Sequence, residues 1–173
     1  MMQIDECGIR QVVLDIQDLT RFLEILRSVG ERNRTHIVVF NSEMMAGKDH
    51  AISALSHAIR AENEKRCISN SLEMEALLYA SGSRQCIDGM MFGVHEGINL
   101  SYLCLCPWHE RTLTELSGCM TPNYDDWENI SPQKAIRLME LFGITPEEVE
   151  VAGGPHMIRE LVLERVALLD AYR

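Results

Sequence analysis

The sequence predicts a single α/β domain spanning residues 1–173, and three observations carry that expectation. A chain of 173 residues with 46% apolar and 24% charged side chains has ordinary globular composition and can bury one core without staples. The β-branched runs "IRQVVL" and "THIVVF" are separated by segments whose apolar residues recur at helical spacing. No apolar run approaches the ~20 residues of a membrane span.

The elements follow in order. Ile9–Leu14 reads as a first strand. A helix near Leu19–Val29 places Phe22, Leu23, Leu26 and Val29 on one side and closes at Gly30. Thr35–Phe40 reads as a buried strand. After the loop "NSEMMAGKDH" a helix runs to about Asn63. Its apolar side holds Ala51, Ile52, Leu55, Ala58 and Ile59, and His50, Ser53, His57, Arg60 and Glu64 fall on a polar, solvated side. Asn70 is expected to cap the next helix, with Glu73 closing a capping box and Gly82 supplying a left-handed stop. Ser83 caps a further helix, with apolar positions at Ile87, Met90 and Met91 and an end at Gly93. A strand follows at Ile98–Cys106.

Residues 107–130 hold one more short strand or helix and then an acidic loop. Ser131-Pro132 opens a helix that ends at Gly143, because proline suits the first helical position. Thr145, Pro146 and Glu148 form a second start. Gly153-Gly154-Pro155 breaks the chain before a last helix from His156 to Tyr172. Met157, Leu163 and Leu168 widen the apolar stripe of that helix beyond what one core needs, which suits burial by a partner.

Charge and motifs exclude several function classes. The net charge of −10 argues against a general nucleic-acid binder. Its distribution is uneven: five basic and five acidic side chains cancel over residues 46–86, whereas ten acidic face five basic over residues 125–173. "AGK" after a strand invites a phosphate-loop reading, but Ser42 stands where a glycine is required and Asp49 where Ser or Thr is required. No nucleophile elbow or metalloprotease motif appears, so no catalytic residue is predicted.

The six cysteines are expected to be free, buried thiols rather than a disulfide framework. Cys104 and Cys106 share one side of a strand and can share a ligand. Zinc needs four ligands, and Cys119, His95 and His109 are the only nearby completers, so no metal or other cofactor is predicted. The N-terminus lacks the basic and apolar regions of a secretory signal, so the expected location is the cytoplasm.

Residues 45–97 carry a longer pattern: a Gly-Lys-x-His helix start, a basic loop, "NSLEMEALLYASGSRQ" and "FGVHEG". This pattern resembles the kinase-binding subunit of the KEOPS complex, the Cgi/PRPK-binding-protein family. The closing segments "LMELFGITPEEVE" and "MIRELVLERVALLD" resemble that family more loosely. The likeness covers about half the chain, and nothing carries over to residues 107–130. It implies a two-layer α/β sandwich, a small mainly antiparallel sheet packed with several helices, without catalytic activity of its own. It further implies a subunit that binds the small kinase/ATPase of KEOPS and helps recruit tRNA through its 3′ CCA end. That complex makes N6-threonylcarbamoyladenosine at position 37 of tRNA.

Single-stranded RNA ends are held by positive charge and by side chains that read or stack on splayed bases. The expected tRNA-binding residues are Lys48, His50, Arg60, Lys65, Arg66, Asn70, Ser71, Arg84 and Gln85. Met157, Ile158, Leu161, Leu163 and Leu168 are the expected kinase-facing residues. Two other classes stay open. "SPQKAIRLMELFGITPEEV" has the outline of a helix-turn-helix, although its surroundings carry the wrong charge. Cys104 and Cys106 alone support a metal or redox protein.

Overall fold

In the computed structural model, which describes residues 1–172, the two β-branched runs form neighbours of a third, longer strand. β1 (Gly8–Ile16), β2 (His36–Asn41), β3 (Gly97–Cys106) and the short β4 (Thr121–Pro122) make a sheet of order β2-β3-β1-β4. Every pairing is antiparallel. Period-two alternation splits its side chains between two cores. Val38, Phe40, Tyr102, Cys104 and Cys106 point one way. Val12, Leu14, Ile16, Ile37, Val39, Leu103 and Leu105 point the other.

The first side receives α2 (Lys48–Asn63), α3 (Leu72–Ser81), α6 (Pro132–Phe142), α7 (Pro146–Ala152) and α8 (Ile158–Ala171). The α/β sandwich expected from the sequence is therefore what forms. In addition, α1 (Leu19–Asn33) and α5 (Glu110–Leu116) cover the opposite side of the sheet with a smaller layer built on Phe22, Leu26, Val29 and Leu116. α4 (Cys86–Met91) lies beyond the end of α3. No described helix is long and apolar enough to cross a membrane.

Several local expectations change. α1 runs through Gly30 to Asn33, and Arg34 takes the left-handed position. Gly30 is needed for close approach instead, since a Cβ there would meet the Thr35 carbonyl at 2.8 Å. Ser71, not Asn70, caps α3 by accepting the Met74 N–H, while Glu73 pairs with His36 at 2.9 Å. Ser83 does not cap α4. Its hydroxyl accepts the Gln85 N–H and donates to Asp88 at 2.6 Å, fixing the corner between the helices. Gly82 does stop α3 in the left-handed region, with φ 63°.

The last helix begins at Ile158, after a 3₁₀ turn at Pro155–Met157. Cys7 and Cys106 are not free thiols but form a disulfide. The register explains it, because Gly8 opposes Leu105 and brings the preceding Cys7 beside Cys106.

Candidate functional site

Three of the expected RNA-facing residues, Lys48, His50 and Arg60, lie on α2, which is buried on more than one side. Ala51, Ala54, Ala58 and Ala61 are all fully buried and let neighbouring helices approach closely. His50 therefore lies inside the protein rather than on a solvated side. Its Nδ1 accepts the Ala46 N–H at 3.0 Å, and its Nε2–H donates to the Ala80 carbonyl at 2.9 Å. Burial pushes its pKa down to about 4, against the smaller upward pull of the Ala80 bond. It is a structural pin between α2 and α3 and cannot reach a ligand. His57 is also largely covered, stacked on the Tyr79 ring with centroids 5.2 Å apart.

The centre of the site is Asp170, in the last turn of α8. One carboxylate oxygen accepts Arg66 Nη1 at 2.6 Å and the Tyr79 hydroxyl at 2.7 Å. The other takes His57 Nδ1 at 2.8 Å and lies 3.5 Å from Arg60. Burial alone would raise the pKa of this carboxyl. The bonds from Arg66, Tyr79 and His57 outweigh it and hold the group far below the usual carboxylate range. Arg84 donates to the Tyr172 carbonyl two residues further on. The end of α8 thus gathers Arg60, Arg66 and Arg84 from three separate parts of the sequence. Lys65, next to Arg66, and Gln85, next to Arg84, are exposed at the same end.

Glu75 shapes the basic loop before α3. It is fully buried, and one of its oxygens accepts the Ile68 N–H, the Ser69 N–H and the Ser69 hydroxyl, all within 3.0 Å. A carboxylate that accepts several backbone donors is a firm local anchor. Neither Glu75 nor Asp170 was expected at the site. Both carried a signal, since Glu75 shares the helical stripe of Leu72 and Tyr79, and Asp170 follows Val162 and Val166 at four-residue steps.

The remaining expected residues lie elsewhere. Lys48 is exposed at the start of α2, and its backbone N–H goes to Glu128 at 2.9 Å. Twelve residues separate it from Arg60, about 18 Å along the helix axis. Asn70 and Ser71 line a groove between α1 and α3.

Among the kinase-facing residues, Ile158 is buried in the protein's own core, so it is withdrawn from that surface. Met157, Leu161, Leu163 and Leu168 are half-buried. Ile87, Met90 and Met91 on α4 are more than half exposed and were read only as apolar helix positions.

The two rival readings lose ground here. α7, the second helix of the helix-turn-helix outline, has seven residues and carries Glu147, Glu148 and Glu150 with no cation. Cys106 is bound to Cys7, and burial pushes the Cys104 thiol well above its ordinary value. No group of three metal-ligating side chains comes together among the described residues.

No family model matches the chain. It is similar to "Regulatory protein Cgi121" of Methanocaldococcus jannaschii, with 28% identity over 138 residues, covering 76% of this chain and 81% of the relative. The comparison bears out the Cgi resemblance. The Cgi relative's name describes a regulatory protein, which agrees with a chain in whose sequence no catalytic motif was found. The span matched is wider than the central motif that first suggested the Cgi family.

Proposed function

We propose that this chain is a non-catalytic subunit of the KEOPS complex that binds and supports its small kinase/ATPase and helps recruit tRNA through the 3′ CCA end. The observation that carries the RNA part is the convergence of Arg60, Arg66 and Arg84 on the end of α8, with Lys65 and Gln85 exposed beside them. Guanidinium groups donate to phosphate in a fork and stack on bases, which suits a splayed single-stranded end. The kinase part rests on the half-buried outer stripe of α8 at Leu161, Leu163 and Leu168. Its place in the cytoplasm is part of the same proposal.

The test uses purified full-length chain, transcribed tRNA and the small kinase. Trimming the CCA end is expected to weaken tRNA binding at least tenfold, about 1.4 kcal/mol. Arg84→Glu is expected to do the same and leave kinase binding intact, while Leu163→Glu does the reverse. If trimmed and intact tRNA bind equally, the claim for the RNA end is lost. If Leu163→Glu leaves kinase binding unchanged, α8 is not the docking surface.

A further inference from the structure

β2 lies at an edge of the sheet, and the direction of its outer hydrogen-bonding groups can be worked out. The Thr35 N–H turns away from β3 to reach Gly30 at 3.0 Å, and the Asn41 N–H turns away to reach Phe92 at 2.7 Å. Strand groups alternate with a period of two, so Ile37 and Val39, between them, point their N–H and C=O groups the same way. Among the described residues no backbone bond from another element meets them. Both residues are nearly buried, at 5% and 7% exposure. Main-chain groups on the open side of an edge strand are free to pair with another extended chain.

These groups look into a cavity of about 850 Å³ between α1 and α3. Leu19 and Leu23 wall it on the α1 side, and Leu77 and Met90 on the α3 and α4 side. His36 and Glu73, paired at 2.9 Å, stand at one end. α3 is apolar nearly all round, which marks a helix with more than one side to cover.

We propose that this edge accepts an extended peptide segment of a partner protein as a fifth strand. The bonding groups of Ile37 and Val39 repeat every two residues, about 6.6 Å, the spacing an extended chain presents. Main-chain bonds would fix the segment, and alternate side chains would fall against the two apolar walls. The walls also choose between occupants. A second copy of this chain would bring its own α1 and α3 on either side of its β2, and these would meet the same helices here. A single strand without flanking helices has no such obstacle. This surface is separate from the arginines at the end of α8.

The test begins by panning phage-displayed random octapeptides against the full chain, with Leu23→Arg as counter-target. Leu23 is 46% exposed, so the substitution leaves the core intact. The strongest peptide is then made synthetically with a fluorophore and measured by anisotropy. Expected results are binding that falls at least tenfold in Leu23→Arg and in Met90→Arg, with tRNA affinity unchanged. N-methylation of the peptide at alternate residues should abolish binding, while the intervening positions tolerate it. The proposal is overturned if no peptide is enriched over the counter-target, or if N-methylation is tolerated throughout. It is also overturned if the chain forms a dimer that Leu23→Arg dissolves, since the groove then belongs to a second copy.

Discussion

His50 uses each ring nitrogen once, and both partners are backbone groups inside the fold. The neutral ring meets this geometry, whereas a protonated ring would have no acceptor left for Ala46. With a folded-state pKa of about 4, the ring stays neutral while the unfolded chain takes up a proton below about pH 6.5. Stability is therefore fully present above that value and falls as the pH drops toward 4, by at most about 1.4 kcal/mol per unit. His36 contributes in the other direction, because its bond to Glu73 raises its pKa. Comparing variants isolates His50. Between about pH 7 and about pH 5 the urea midpoint of the native chain is expected to fall, and His50→Gln should flatten that dependence while lowering stability at both values. Equal slopes would remove His50 as the cause. Sequence periodicity placed this residue on a polar side, because it counts neighbours along one helix. It does not see that α3 and α8 both pack on α2.

At the level of elements, starts and stops written in local chemistry were legible. Ser131-Pro132, the Thr145–Glu148 box, Gly82 and Gly143 act where the sequence put them. The misread capping residues have other partners: Ser83 turns to Asp88, five residues on, and Glu73 is drawn to the distant His36. The disulfide was illegible for the same reason, since its cysteines are 99 positions apart. The loop between α2 and α3 has a nearer anchor. The backbone N–H groups of Ile68 and Ser69 are held by Glu75, from within α3 itself. Glu75→Ala would leave two backbone N–H groups without their acceptor, at a cost of about 1–3 kcal/mol. Hydrogen exchange should then quicken at Ile68 and Ser69, while the amides of β3 keep their protection. Unchanged exchange in the loop would show that Glu75 does not anchor it.

For the whole molecule, the proposed RNA role has to be reconciled with a net charge of −10. Long-range attraction is absent, so binding must rest on a few close contacts. The number of cations at the end of α8 bounds that count: Arg60, Lys65, Arg66 and Arg84. Asp170 and the Tyr172 carbonyl already engage the three arginines, which orients them but offsets part of their charge. Two to four phosphate contacts on a single strand correspond to a slope of about −1.4 to −2.8 in log affinity against log salt. A titration of intact tRNA between about 50 and 200 mM salt is expected to give a value in that range. The same titration with CCA-trimmed tRNA should give a shallower slope, because those contacts are lost. A slope steeper than about −5 would require a broad cationic surface, which the charge distribution does not supply. A slope near zero would mean that the arginines at Asp170 serve only to lock α8 onto α2 and α3, and the RNA reading of this corner would fall.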